Sequence, residues 1–494
     1  MQEREIRLSK TACSHFIVLY ILCCIKHITL RRLGKTLLSY VLRSAPYVIS
    51  RYIISSLVET FKHVSHSLRY VIIMLMQENS RYAVGIDIGT SKIRCVVSHI
   101  DGEGGTPTVV GVGTAPNSGM RKGIVANLQG PASAIDTALG EAERMSGYQV
   151  DYATVSINGS HILSVKTDGM IAVGAMDHEI TRDDLLRIED VATVGKIPAN
   201  REILEVVPHS YRLDGQDNIK DPLGMTGTRL EIKANVVSAL APHLLNLQKS
   251  AEMAKLDAHT IVPSVLAGAK AVLKEQQLEN GVAVIDLGAT TTSVAVFEEG
   301  DLQYVGVIPV GGANITNDLA IGLKTDPEVA EKVKVANAIA TGHDGHEGIS
   351  VKDGDEIHTF STNEIDEIIE ARLEEIFEEV EAELKKAGRA GQLPAGVVLI
   401  GGGANMKKIT EFAKQKLGLA ARVGKASGLG GAVDSIEQPE YAVACGLMLV
   451  DAENQTANRG KNSARSAKSP TGSAKESLKK ASSGAKKLLG RFKV

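Results

Sequence analysis

The 494-residue chain has no Trp, and aromatic residues make up only 4% of it. Base-stacking platforms for nucleic acid need aromatic faces, so this composition argues against one. Cysteine is scarce, five residues in all. That is too few to frame a disulfide scaffold at this length and is in keeping with a reducing compartment. Disorder throughout is excluded by 44% apolar and 23% charged residues, near the globular average. Gly is plentiful at 48 but has no collagen-like period. The length allows about three domains or one large two-lobed unit.

Negative charge is scarce at both ends. Residues 1–76 carry 11 Lys/Arg against 3 Asp/Glu, and residues 455–494 carry 11 against 1, Glu476. The stretch between them has a net charge of −21. An acidic body with two basic ends is not a nucleic-acid groove. It suits a soluble body with at least one end made for an anionic surface.

Residues 1–76 also lack Asp, and their one Gly is Gly34. The longest uncharged run, Thr11 to Ile25, falls short of the roughly 20 residues that span a bilayer. No small-residue cleavage site follows it cleanly, as a signal peptide would require. Met76 (or Met74) is then expected to open the folded protein, with a polar lead-in from Gln77 to Arg81 and a strand. A membrane-associating extension is the alternative, and mass spectrometry of the native N-terminus separates the two.

Two segments share one design. Tyr82-Ala-Val-Gly-Ile-Asp87-Ile-Gly89-Thr90-Ser91-Lys92 reads as an apolar strand ending in Asp, a Gly-hydroxyl turn, then a second strand to Val97. Val282-Ala-Val-Ile-Asp286-Leu-Gly288-Ala-Thr290-Thr291-Thr292 repeats it and leads into a strand to Phe297. Gly lets backbone approach a phosphate, turn N–H groups cradle its oxygens, and Ser and Thr add donors. The Asp can hold a hydrated Mg²⁺. One such motif is weak, because Asp-Gly turns are common in hairpins. Two copies, each between two strands, predict a phosphate clamp.

Two further turns fit a nucleotide. Gly401, Gly402, Gly403 and Ala404 follow a strand from Gly396 to Ile400 and precede a helical pattern from Lys407 to Leu417, leaving room for a flat group. Gly311 and Gly312 lead into a helix start, a natural anion site. Glu331 and Lys334 share a helical face just beyond; taken alone they read as a solvated salt bridge.

With these motifs the chain resembles the actin-like ATPase superfamily, which also includes sugar kinases and heat-shock chaperone ATPases. Within it the chain resembles the FtsA family, bacterial division proteins that link FtsZ filaments to the membrane. The resemblance covers nearly all of 80–450. It includes the runs Arg121-Lys-Gly123-Ile-Val125, Ile203 to Tyr211 and Asp221 to Glu231, and the last connecting helix, Pro439 to Gly446.

The resemblance implies an α/β, actin-like two-lobed fold of duplicated RNase H-like domains with an inserted SHS2-type subdomain. The first lobe takes 77–156 and 241–280, and the insert 157–240, with strands at 154–157 and 229–237 and a helix from Thr181 to Val194. The second lobe takes 281–312 and 396–450, with a subdomain at 313–395. The resemblance further implies ATP and Mg²⁺ as ligands. Gly89, Thr90, Ser91, Lys92, Gly288, Thr290 and Thr291 would face phosphate. Glu331 and Lys334 would face ribose, and 401–404 adenosine, with Asp87 and Asp286 holding the metal through water. No catalytic residue is assigned; in the phosphotransferase or chaperone-type reading Asp286 could serve as base.

Two departures stand out. Ala289 and Thr290 fill positions usually held by Gly. Val262, just before Pro263 and Ser264, stands where the chaperone ATPases carry a Glu that positions the attacking water. Hydrolysis needs such a group as well as a metal clamp, so slow or undetectable turnover is expected.

The pattern Ile365, Ile368, Ile369, Leu373, Ile376, Phe377, Val380, Leu384 predicts a helix over 362–387. Ser361 and Glu364 have capping-box spacing, and Gly388 ends it. On it, Arg372 matches the family's Arg that receives the acidic C-terminal peptide of FtsZ; Glu364 replaces the neighbouring basic position of some relatives.

From 451 to 474 the composition predicts a flexible basic linker. Then Leu478, Ala481, Ala485, Leu488, Leu489 and Phe492 fall within about 100° of a helical wheel, with Lys and Arg, Arg491 among them, on the other side. A basic amphipathic helix of this kind, over 475–494, suits an anionic membrane interface. A nucleic-acid tail or a calmodulin-like target are the alternatives.

Together the readings give a peripheral protein on the cytoplasmic face of the bacterial cell membrane at the division site. Its expected partners are FtsZ, further copies of itself, anionic lipids and other division proteins, and not nucleic acid. A PilM-like pilus assembly ATPase and an active phosphotransferase or chaperone-type ATPase are the competing readings of this fold.

Overall fold

The run Val282-Ala-Val-Ile-Asp-Leu287 is buried at every position, the mark of a strand covered on both faces. It is the middle strand of one of two sheets that share a strand order. The computed structural model describes residues 80–102, 105–174, 177–345, 348–354, 356–432, 434 and 436–466. The readings for 1–76 and for Leu478, Ala485, Leu488, Leu489, Arg491 and Phe492 lie outside the described residues.

The chain begins with β1 (Ser80–Ile88), β2 (Lys92–Asp101) and β3 (Thr108–Pro116), then a short hairpin, β4 (Met120–Arg121) and β5 (Ile124–Val125). Helix α1 (Gln129–Ser146) and strand β6 (Tyr152–Ile157) follow. The insert comprises β7 (Leu163–Ala172), α2 (Arg182–Thr193), β8 (Arg201–Leu213), β9 (Gln216–Ile219) and β10 (Arg229–Leu240). The chain returns through α3 (Ala241–Met253), β11 (Asp257–Pro263), α4 (Ser264–Val272) and α5 (Glu275–Asn280).

The second half opens with β12 (Val282–Leu287), β13 (Thr292–Glu298) and β14 (Asp301–Ile308). Next come α6 (Gly312–Gly322), α7 (Pro327–Asn337), β15 (Gly348–Asp353), β16 (Glu356–Ser361) and α8 (Thr362–Lys386). It closes with β17 (Val397–Ile400), α9 (Ile409–Leu417), β18 (Ala421–Val423), β19 (Gly430–Gly431) and α10 (Ala442–Ser466).

The first sheet runs β11-β6-β1-β2-β3-β19 and the second β14-β13-β12-β17-β18. In each, three antiparallel strands are extended by parallel ones: β6 on β1, and β17 on β12. This repeated order is the duplicated α/β architecture that the resemblance implies. Helices α4 and α10 lie against each other, and one apolar core joins both to the facing sides of the two sheets. They approach so closely that a Cβ on Gly446 would fall 1.7 Å from the Ala267 carbonyl oxygen. Only Gly fits there.

The insert is a four-stranded sheet, β7-β10-β8-β9, with α2 packed on it and a core of its own. Its helix starts as expected, on a capping box between Thr181 and Asp184. A third core joins the outer face of the second sheet to α6, α7, α8 and α9. In α8 the residues expected to be apolar are buried except Ile368, which is half-buried. The capping box expected at Ser361 is not formed; Thr362 instead donates to the Gly345 carbonyl, 3.2 Å away.

The C-terminal part departs from expectation. Strand β19 and the first part of α10, expected in large part with the second lobe, pack on the first sheet: β19 pairs with β3, and α10 covers β1. The linker expected from 451 begins inside α10, which runs on to Ser466. Asp451 itself is fully buried. Composition favoured a linker because 454–466 carry no apolar stripe, but a helix already packed up to Val450 can propagate beyond its contacts.

Candidate functional site

The turns after β1 and β12 face each other. Thr290 Oγ1 donates to Thr90 Oγ1 over 3.0 Å, so the loops meet at their tips. Below them Asn158, at the end of β6, reaches across: its Nδ2 donates to Thr291 Oγ1 (3.2 Å) and its Oδ1 accepts from Ser293 Oγ (3.1 Å). Asp87 and Asp286, at equivalent places in their strands, lie beneath the turns. The structure thus brings Gly89, Thr90, Gly288, Thr290 and Thr291 to one crevice, with Ser91 and Lys92 exposed beside it.

The two carboxylates feel each other. Burial and the nearby Asp87 charge push the Asp286 carboxyl up to about 7. Asp87 is raised too, chiefly by burial, while Arg94 and the Ser156 hydroxyl pull it back. Ser156 Oγ donates to Asp87 Oδ1 (2.9 Å) and accepts from Ile88 N (2.8 Å), fixing the carboxylate to the neighbouring strand. Arg94 stands directly opposite Asp87 in the β1–β2 ladder and lowers both carboxyls. It also lies near Glu440 (3.6 Å) and over the Tyr441 ring (5.4 Å).

The third motif closes on the Asp286 carboxylate. Gly401 has φ +82°, and a Cβ there would fall 2.4 Å from Asp286 Oδ1. A side chain would displace the carboxylate. Gly402 is open, with nothing within 4 Å of where its Cβ would be. Gly403 sits on Leu287, and Ala404 is buried in a short 3₁₀ turn.

At the start of α6 the expected anion site is occupied by the protein itself. Gly312 N donates to the Gly288 carbonyl (2.9 Å), Ala313 N to that of Ala289 (2.6 Å), and Gly311 N to Asn314 Oδ1 (3.1 Å). These amides therefore staple α6 to the second phosphate loop. Lys334 donates to the Gly312 carbonyl (3.1 Å), Thr316 Oγ1 (2.7 Å) and Glu331 Oε2 (2.6 Å), which places it and Glu331 beside Gly312.

Arg372 lies elsewhere and is already paired. Its guanidinium bonds both oxygens of Asp318 on α6 (2.5 and 3.0 Å) and also Glu375. This bidentate pair pins α8 to α6. An acidic peptide docking here would compete with Asp318 and Glu375 for this guanidinium.

A metal and a triphosphate fit the residues present. Ser264, the first residue of α4, is 3% exposed, and its hydroxyl faces the Asp286 carboxyl and lowers it. Among the described residues no group of three or more His, Cys, Asp and Glu could hold a metal directly. Two carboxylates suit Mg²⁺, which keeps most of its waters. Val262 is 4% exposed and offers no polar atom.

Sequence reading missed Asn158, Ser156, Arg94, Ser264 and Asn117. Asn117 braces the first loop, with Nδ2 donating to the Gly89 carbonyl over 2.8 Å. Gly123, in the hairpin singled out by resemblance, donates its N–H to Thr90 Oγ1 over 3.2 Å.

Two family models match this chain: "Cell division protein FtsA" over residues 283–446 and "SHS2 domain inserted in FTSA" over 159–238. The chain is 34% identical over 387 residues to cell division protein FtsA of Pseudomonas aeruginosa, covering 78% of this chain and 92% of that one. It is 34% identical over 383 residues to FtsA of Bacillus subtilis, covering 77% and 85%. Among solved structures, the PilM-PilN type IV pilus biogenesis complex aligns at a TM-score of 0.55 with 18% identity, covering 74% of this chain and 97% of that one. That likeness bears on the fold alone.

Proposed function

Since this chain belongs to the FtsA family of cell division proteins, with an actin-like fold, we propose that it binds ATP with Mg²⁺ and tethers FtsZ filaments to the cytoplasmic membrane. In this reading it self-assembles at the division ring and contacts other division proteins. The observation that carries the nucleotide part is the meeting of two equivalent Asp-Gly-Thr turns, with Asp87 and Asp286 beneath them.

Asp87, held by Ser156, and Asp286 would hold the magnesium's water shell. Thr90, Thr290 and Thr291 would donate to phosphate oxygens, and Gly402 would let a ring lie on the backbone. Bound Mg²⁺ supplies charge neutralisation for the triphosphate. The protein supplies no carboxylate at Val262, and Asp286 is committed to the metal. Purified protein is therefore expected to bind a fluorescent ATP analogue saturably while releasing phosphate well below about one per second. Turnover of several per second would point to the phosphotransferase or chaperone class instead.

The membrane part rests on the 478–492 spacing and the basic charge of 455–494. Among the described residues no helix is long and apolar enough to cross a membrane. Each Lys or Arg near an anionic bilayer contributes about 1 kcal/mol. Deleting 475–494 is expected to release the protein from anionic liposomes in a sedimentation assay, while neutral liposomes bind neither form. Retention by the truncated chain would remove the tail from the proposal. An FtsZ pull-down tests the partner independently.

A further inference from the structure

The insert leaves the first lobe after β6 and returns to it at α3, yet it also touches the second lobe. Its sheet packs on β14, the outer strand of the second sheet, through β7, β8 and β10. Two residues of the insert make polar contacts across this boundary. Lys220, just after β9, donates to Asp301 Oδ2 (2.7 Å) and to the Glu299 carbonyl (3.3 Å). Asn235 of β10, fully buried, accepts from Ser164 Oγ (2.7 Å) and donates to the Leu302 carbonyl (3.4 Å).

These contacts are mechanically joined to the crevice. Strand β13 begins at Thr292, the residue after the second phosphate loop, and pairs with β14 from Thr292↔Ile308 to Glu298↔Asp301. One two-stranded ribbon, roughly 20 Å long, therefore runs from the loop to the residue that holds Lys220. At its other end the Thr90 and Thr290 hydroxyls are 3.0 Å apart, hydrogen-bonded to each other. A phosphate oxygen accepting from both would need them roughly 5 Å apart, two hydrogen bonds in series. Where the loops part to admit a phosphate, the ribbon moves with the second loop, and the 2.7 Å ion pair and 3.4 Å amide–carbonyl contact at its far end register that movement.

We propose that the insert is a latch on the second lobe, engaged through Lys220 and Asn235, and that a nucleoside triphosphate in the crevice and the engaged latch oppose each other. The inference rests on the nucleotide reading above and adds its regulation. Binding coupling is reciprocal, so whatever frees the latch tightens the crevice's hold on nucleotide. A partner that draws the insert away from β14 would therefore raise ATP affinity, and ATP would present the insert to such a partner.

The test uses the full chain with Mg²⁺-ATP. Lys220→Ala, which removes a half-exposed side chain, is expected to bind ATP about 5–10-fold more tightly than the parent, the lower end of typical couplings. In the parent, ATP is expected to speed hydrogen exchange at residues 216–220 and at β14 while slowing it at the two phosphate loops. Equal or weaker binding by the variant, with no change in exchange at β14, overturns the latch. If the parent itself binds no ATP, the nucleotide reading falls, an outcome distinct from the failure of the latch alone.

Discussion

Asp286→Asn is expected to bind Mg²⁺-ATP at least about 100-fold more weakly than the parent and to melt at a higher temperature. Both effects come from one cause. Asp286 is only 7% exposed, and burial together with the Asp87 charge raises its carboxyl to about 7. At about 1.4 kcal/mol per pH unit, keeping it ionised at pH 8 costs on the order of 4 kcal/mol. Asparagine removes that cost but cannot offer the charge that holds a hydrated metal. The sign in pH follows from linkage. A carboxyl raised in the folded state destabilises the fold as pH rises from about 3.8, the unfolded value, to about 7, and no further above that. The stabilisation by Asn should therefore be small near pH 4 and full at pH 8. Metal binding requires the ionised carboxylate, so the parent's affinity for Mg²⁺-ATP should rise about tenfold from pH 6 to pH 8. In the variant that dependence should vanish. Calorimetric titration with and without Mg²⁺, beside melting curves at pH 4.5 and pH 8, reads all of this. A variant whose ATP affinity and metal dependence match the parent's would show that Asp286 does not serve the metal.

The parts of this site that were legible in sequence are those that repeat or alternate. Two Asp-Gly turns at strand ends, a Gly triplet after a buried run and the apolar stripe of α8 each leave a local pattern. The parts that were not legible are single polar residues whose partners lie far along the chain. Asn158 meets Thr291 and Ser293 more than 130 positions away, and Ser156 meets Asp87 across 69. Nothing near either residue distinguishes it from an ordinary strand-end hydrogen bonder. Arg94 could have been found, since its antiparallel register with Asp87 follows from a tight turn at 89–91. The amides at 311–313 misled for a different reason. A helix start attracts any acceptor, and here the carbonyls of 288 and 289 arrive first. The pairing of Arg372 with Asp318 was not legible for the same reason as Asn158, since Asp318 lies on another helix.

Asp451→Ala should lower stability by about 3–5 kcal/mol, the usual cost of breaking a buried charged network by removing one member. Asp451 is fully buried. It accepts from Val84 N (3.0 Å), Thr154 Oγ1 (3.1 Å) and Gln455 Nε2 (2.9 Å), with His259 Nε2 at 3.3 Å. One carboxylate therefore ties α10 to β1, β6 and β11 at the point where the chain leaves the body for its basic end. Its loss leaves an amide, a hydroxyl and an imidazole without their acceptor inside the core. A fall in melting temperature of about 5–10 °C is expected. A pH signature separates this network from simple loss of packing. Burial pulls the His259 imidazole down, but its bond to Asp451 and the carboxylate's charge outweigh this and leave it raised overall. A raised histidine contributes stability in full below its unfolded value, near 6.5, and loses it as pH climbs through the folded value. The parent should thus lose stability from about pH 6.5 upward, and Asp451→Asn, which keeps the shape without the charge, should show a flatter profile there. If Asp451→Ala melts within about one degree of the parent, the C-terminal helix is held by apolar packing alone, and its root is not the anchor through which the tail would pull on the body.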